Sequence, residues 1–344
     1  MEILISFIIP FIILLTIVVF IHEYGHYYFA KKYGVGVTDF SIGFGKEIFG
    51  FNDKSGTRWK FCAIPLGGYV KFFGDRNVFS QAEQEELLKE YNEEDRKKLF
   101  VVKPLYQRSL IVAAGPFANF LLATVIFAFI YMFAGKDFTP AQIQEVQPES
   151  PAYIAGIKSG DVIQSINERE VKSIMEVSTF INASSSETID IKVLRNGNEL
   201  TLQVKPKFIE GKDSLGNQIN KKIIGIKVAP LNEEINRQRL GPATALYYAV
   251  KETWFVIEAS WEFVVSMFKG TGDTSQLGGP IKIAKITGQV AKFGIVAFLS
   301  IMAYISISLG FINLFPIPML DGGHLMFYAF EKILGRPLTQ KTQE

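Results

Sequence analysis

The sequence predicts a multi-pass α-helical membrane protein with an inserted α+β domain and a small membrane-associated β-hairpin region. Three observations predict it. Hydrophobic residues make up 48% of the 344-residue chain and charged residues only 20%, against about a quarter charged in an ordinary soluble domain. The apolar excess is concentrated in runs long enough to cross a bilayer, which takes about 20 residues. Between the second and third of these runs lies a stretch of alternating polar and apolar residues, the pattern of strands half exposed to water. A net charge of +2 gives no support for nucleic-acid binding. The single cysteine, Cys62, excludes an internal disulfide and any thiolate cluster.

Residues 1–32 form the first transmembrane helix and end in "HEYGH". Met1 and Glu2 offer no basic start and no small-residue cleavage site follows, so this run is retained rather than removed as a signal. Residues 33–76 alternate apolar residues with Gly and Asn-Asp turn signals, which predicts a β-hairpin segment. Residues 77–107, with "SQAEQEELLKEYNEEDRKKLF", read as a charged cytoplasmic helix, and residues 108–134 as the second transmembrane helix. In residues 135–230 the pair Asn196-Gly197 between "IDIKVLR" and "ELTLQV" is a strong hairpin signal. Residues 240–292 read as amphipathic helices lying in the membrane interface. There Lys251, Glu258 and Glu262 share one helical face, while Trp254, Val265 and Phe268 lie elsewhere. Residues 293–318 are the third transmembrane helix, and 319–344 an "LDGGH" segment with a cytoplasmic tail. Lys31 and Lys32 after the first span, Lys103 and Arg108 before the second, and Lys332, Arg336 and Lys341 after the third orient the chain. The positive-inside rule puts the amino terminus and the inserted domain outside.

His22 and His26 stand four apart on a helix, so their rings face one ion, with Glu23 beside them. That is the pattern of zinc hydrolases, in which zinc lowers the pKa of a water and the glutamate moves its proton. A bland reading, two polar residues snorkelling at a helix end, fits poorly with the cost of ionisable groups in a membrane helix. A catalytic zinc takes three protein ligands. The third is sought in "NLFPIPMLDGGH", where Pro316 and Pro318 break the helix and open backbone that only a cavity tolerates. Asp321 fits as a carboxylate ligand or as the N-cap of the helix that follows, and His324 is a rival ligand. Asn313 is placed either to hydrogen-bond an extended substrate or to end a helix.

Together "HEYGH", "PLGGYVKF", "AAGPFAN" and "NLFPIPMLDGG", in this order, resemble the site-2 protease family of intramembrane zinc metalloproteases (peptidase M50), and within it the bacterial branch that regulates the extracytoplasmic stress sigma factor. The resemblance implies zinc held by His22, His26 and Asp321, Glu23 as the catalytic base, and Asn313, Pro316 and Pro318 shaping the substrate channel. It places Gly115, Pro116 and Asn119 in a packed core of the second span. The hairpin segment would pair with an extended substrate. "SPAYIAGIKSGDVIQSINE" resembles a circularly permuted PDZ domain, present in one copy, with "IIGIKV" as a possible carboxylate loop. Such a domain accepts a peptide or carboxyl terminus at a sheet edge, or filters substrates by size. The family usually continues past the Asp-Gly-Gly-His region into another membrane helix, whereas this chain ends at "PLTQKTQE". The resemblance implies cleavage of transmembrane segments of single-span proteins, such as an anti-sigma factor or a signal-peptide remnant, in the bacterial inner membrane with the active site near the cytoplasmic side. The alternative is a PDZ-bearing membrane scaffold with a structural metal site.

Overall fold

The computed structural model describes residues 4–74, 90–184, 186–212, 218–231, 234–269 and 278–335. Residues 77–89 of the charged segment expected at 77–107, the start of "TSQLGGPIKIAK" and the tail after 335 lie outside these residues; in residues 91–104 only Glu93–Arg96 is α-helical, so the described part of that segment is not the continuous charged helix expected. In chain order the main elements are α1 (Ile9–Lys32, entered through the π-helical turn Leu4–Ile8), β1 (Val37–Asn52), β2 (Arg58–Phe72), α2 (Leu105–Phe133), β3 (Ala141–Val146), β4 (Val162–Ile166), α3 (Ile174–Ala183), β5 (Ile189–Arg195), β6 (Asn198–Val204), β7 (Ile226–Pro230), α4 (Pro242–Phe268), α5 (Pro280–Ala291), α6 (Ile295–Asn313) and α7 (Asp321–Leu334). Among the described residues, three helices are long and apolar enough to cross a membrane: Ser6–Lys32, Leu105–Phe133 and Ile295–Asn313. The chain divides into two compact units, residues 1–126 with 287–344, and residues 127–286.

In the first unit the helices turn apolar side chains outward. Phe117, Leu121 and Val125 of α2 are all more than half exposed, as a helix in lipid requires. Small residues let the backbones meet. A Cβ on Gly25 of α1 would stand 2.4 Å from the Ala114 carbonyl oxygen of α2, and one on Gly310 of α6 would stand 2.9 Å from that of Pro116. Close contact of this kind replaces the hydrophobic drive that lipid does not supply.

β1 and β2 are each bent back on themselves. Asp39 pairs with both Lys71 and Arg58, and Phe40 with both Val70 and Trp59, so residues 39–42 lie between two stretches of β2. Phe40 is fully buried and stacks on Trp59 at 4.2 Å, with Tyr27 of α1 edge-on at 5.6 Å. The turn is fastened to α1 as well. The Asp53 carboxylate accepts from Tyr27 Oη (2.9 Å), Trp59 Nε1 (3.1 Å), and the amides of Ser55 (2.8 Å) and Thr57 (3.0 Å). Burial pushes its pKa up, but these donors outweigh it and hold the group well below the usual carboxylate range. The hairpin is thereby tied to α1 one residue beyond His26.

The second unit is built the ordinary way. Its sheet runs β7-β3-β4-β5-β6, and Asn196 (φ 50°) with Gly197 (φ 82°) closes the β5–β6 turn as their left-handed backbone requires. Ile143, Ile163, Ile166, Ile189, Ile191 and Val193 bury one face of the sheet beneath Val177, Phe180 and Ile181 of α3. A capping box starts α3: Ser173 and Glu176 satisfy each other's backbone amides. α4 packs its charged side on this domain rather than toward water. Arg169 reaches Glu258 (3.1 Å) and Glu262 (2.8 Å), Lys136 reaches Glu252 (4.0 Å), and Phe255 meets Phe180 edge to face. Leu246, Val250, Trp254, Trp261 and Phe268 are exposed along one stripe of α4.

Candidate metal centre

α1 supplies His22, buried, and one turn later His26. The helix α7 supplies Asp321 from its first turn. Their ligand atoms all lie within 4.8 Å of one another. His22 Nε2 stands 3.2 Å from Asp321 Oδ2, His26 Nε2 3.5 Å from Oδ1, and the two Nε2 atoms 3.3 Å apart. The N-cap position of α7 is held by Leu320, not by Asp321, so the carboxylate is free of the capping role and turns to the rings. His324 lies one turn further along α7, and the group assembled in the structure contains Asp321 instead.

Several small residues make this possible. A Cβ on Gly322 would stand 2.2 Å from the Leu314 carbonyl oxygen, and one on Gly323 2.4 Å from that of Ile317. The loop between α6 and α7 thus folds flat onto the start of α7, which fixes where Asp321 begins. Met319 in this loop has φ 77°, a left-handed conformation unusual outside glycine. Asn313 closes α6, and Pro316 and Pro318 are exposed in the loop itself. These three therefore belong to the segment that carries Asp321. At its far end α7 is held by Glu331, which accepts both ends of the Arg108 guanidinium of α2 at 2.6 and 3.2 Å. Bidentate pairs of this kind fix direction as well as distance.

The second span contributes more than the packing expected of it. His26 Nδ1 donates to the Ile111 carbonyl at 2.9 Å, which leaves its Nε2 lone pair pointing at Asp321. Asn119, fully buried, faces His22 Nδ1 at 3.3 Å. Between them Gly115 faces the rings directly. A Cβ there would lie 2.3 Å from His26 Nε2 and 2.9 Å from His22 Cε1. Residues 111, 115 and 119 fall on one helical face, a spacing visible in "IVAAGPFAN". What that face met was not visible.

These contacts test whether a metal fits. Two ring nitrogens and a carboxylate converge, and Asp321 Oδ2 is buried without a hydrogen-bond partner. Acceptors packed this closely repel one another unless a cation or protons lie between them, and two imidazoles with one carboxylate are a donor set zinc takes. The missing side chain of Gly115 keeps the space beside both rings open. The residues fit zinc.

Glu23, next to His22 on α1, also stands against β2. A Cβ on Gly68 would stand 3.1 Å from Glu23 Cγ and 2.7 Å from the Ser41 carbonyl oxygen. Only glycine lets the "PLGGYVKF" strand pass so close to Glu23.

Residues 10–344 match the model of peptidase family M50. A Mesorhizobium japonicum protein named "Putative zinc metalloprotease mll0638" is 41% identical, over 98% of this chain and 92% of its own. "Metalloprotease MmpA" of Caulobacter vibrioides is 34% identical, over 96% of this chain and 87% of its own. A solved PDZ domain of the SdrC-like protein of Listeria monocytogenes is similar over 26% of this chain and 88% of its own, at 21% identity and a TM-score of 0.22. The chain belongs to peptidase family M50.

Proposed function

We propose that this membrane-embedded zinc metalloprotease cuts peptide bonds within the transmembrane segments of single-span membrane proteins in the bacterial inner membrane. The observation that carries the proposal is the convergence of His22, His26 and Asp321 within 4.8 Å, on helices of a membrane unit, with Glu23 one residue along. Zinc held by these three side chains supplies Lewis acidity toward a peptide carbonyl and toward water. Glu23, one residue from His22, takes a proton from the attacking water and returns it to the leaving amine. His26, fixed by the Ile111 carbonyl, and Asp321, fixed by the folded loop before it, hold their atoms in place throughout.

A transmembrane helix hides its amides in its own hydrogen bonds, so a substrate must be unwound before it is cut. The β2 strand beside Glu23 is suited to this, because its backbone offers an extended partner for the freed amides. Asn313 would hydrogen-bond that extended chain, and Pro316 and Pro318 would keep the loop open around it. In the second unit, the edge strand β7 with the loop at Ile224–Ile226 and α3 would form the groove of a PDZ-like domain and accept a peptide or a carboxyl terminus. The apolar stripe of α4 would lie in the membrane interface, where Trp254 and Trp261 anchor it. The amino terminus and this domain would face outward, with the metal centre near the cytoplasmic side. An anti-sigma factor and a signal-peptide remnant are both single-span substrates of the required kind.

The test is turnover of a model single-span substrate by detergent-purified protein beside Glu23→Gln, with bound zinc counted in both. The wild type cuts within the span, and the variant holds zinc and loses about 10²–10⁴-fold in rate. Zinc in both with turnover in neither would favour a scaffold whose metal is structural, and equal turnover in both would remove Glu23 from the chemistry.

A further inference from the structure

The Asn119 amide is completely buried in the second span, 3.3 Å from His22 Nδ1, and packing alone does not account for a polar group there. A buried amide is expected to have its hydrogen-bonding groups satisfied. As oriented, Asn119 points its NH₂ at Nδ1 and leaves Oδ1 buried without a partner. That arrangement suits a His22 ring protonated on Nε2, and such a ring has no lone pair to offer at the side facing Asp321 and His26. A ring that binds metal through Nε2 must carry its proton on Nδ1, and Nδ1–H then needs an acceptor. The two ends of an amide have nearly the same shape, so hydrogen bonding decides which end faces the ring. Turning the amide about its own axis leaves one orphan end in either case, so the ring is what decides. Only with Oδ1 toward His22 does the Nδ1–H find an acceptor.

We propose that Asn119 is a positioning residue of the metal centre. Its amide oxygen accepts from His22 Nδ1–H and fixes the tautomer whose Nε2 lone pair faces the ion. It does for His22 what the Ile111 carbonyl does for His26 at 2.9 Å. The two supports stand eight residues apart on α2, two turns along one helical face, with Gly115 midway giving both rings room. Ser306 of α6 donates to the Asn119 backbone carbonyl at 2.9 Å, so the helix is held at that residue from the third span. One helix thus selects the tautomer of both histidine ligands, by a backbone oxygen in one case and a side-chain oxygen in the other.

This inference rests on the zinc reading, and the experiment separates the two. Zinc affinity is measured by chelator competition on full-length protein in detergent, for wild type, Asn119→Asp and Asn119→Leu. Aspartate keeps an acceptor and removes the donor, whereas leucine of similar size removes both. The expected result is zinc binding within a few-fold of wild type for Asn119→Asp and a loss of about 10–100-fold for Asn119→Leu. Ring-nitrogen NMR of ¹⁵N-histidine protein, which has only three histidines, should show His22 as the Nδ1–H tautomer in the zinc-loaded wild type. Asn119→Asp losing zinc by tenfold or more, or His22 carrying its proton on Nε2, overturns the inference while the zinc site stands. If Asn119→Leu does not fold, the His22 tautomer in the zinc-loaded wild type decides the matter together with the aspartate variant. A wild type that binds no zinc overturns the site itself and this role with it.

Discussion

The two units of this chain solve the same packing problem in opposite directions. In the membrane unit polar groups are inside, with His22, Asn119 and Ser306 buried and Phe117, Leu121 and Val125 exposed. In the sheet domain isoleucines and valines fill the interior, and Lys192, Glu199, Lys205 and Glu187 pair at the surface. Lipid gives the first unit no reason to bury apolar area, so its interior is free for chemistry and its helices are held by small-residue contact and hydrogen bonds. Water drives the second unit together and fills its interior with isoleucine and valine. The first should therefore fail by losing geometry, the second by losing burial.

The sharpest way to break this contrast is to remove the ion. Chelation, or Asp321→Ala, should reduce turnover to background, with excess zinc restoring the chelated wild type but not the variant. Hydrogen exchange in β5 and β6 should not change in either case. If exchange across residues 189–204 accelerates when zinc leaves, the two units are not energetically independent.

The complementary test is in the sheet. Ile191 is fully buried in the sheet's core, and Ile191→Ala should destabilise that domain by about 2–5 kcal/mol through lost burial and a residual cavity. Amides of β4 to β6 should lose protection by the corresponding factor while zinc affinity stays within a few-fold of wild type. Gly115→Ala adds the smallest possible side chain, in the other unit. With 2.3 Å to His26 Nε2, the methyl must push that ring aside, at about 1–3 kcal/mol, which should weaken zinc binding roughly tenfold to a hundredfold. The cavity left by Ile191→Ala and a single added methyl then give effects of similar size, the former in burial and the latter in geometry. Unchanged zinc affinity in Gly115→Ala would mean that α2 yields, and that its contact with the rings is looser than it looks.

How much of this was legible in the sequence follows from the range of each signal. The "HEYGH" spacing is local, and the structure puts both rings on one side of α1. The Asn196-Gly197 turn is equally local, and the β5–β6 hairpin closes there. Asp321 stood open between ligand and cap because a carboxylate at a helix start looks the same in either role. What separates them is Leu320 at the cap position and the return of α7 to α1, a contact across about three hundred residues of sequence. Gly115 and Asn119 were placed in a packed core by the resemblance, and helical periodicity could add only that they share a face, not what that face meets. The bent hairpin was visible only as turns, since nothing local announces that Asp39 has partners on both sides. For α4 the charge pattern was visible, but not that Arg169 would draw Glu258 and Glu262 onto the domain.

The smallest expected effect at neutral pH comes from a proton, and it belongs to the sheet domain alone. Asp161 is buried. Burial pushes its pKa up, but Arg195 (2.6 and 2.7 Å) and the Lys158 amide (2.9 Å) outweigh that and hold it below the usual range. A carboxylate depressed in the folded state stabilises fully above its unfolded pKa of about 3.9 and loses that contribution as pH falls through the folded value. Protection of β4 and β5 should therefore be flat in this respect from pH 7 to about 5 and weaken below about 4. Asp161→Asn should start lower at pH 7 and lose less on acidification, because it has no proton to take up. A variant as steep as wild type below pH 4 would show that other carboxylates carry the acid sensitivity, and that the Asp161–Arg195 pair orients the β4 and β5 strands without storing charge-dependent stability.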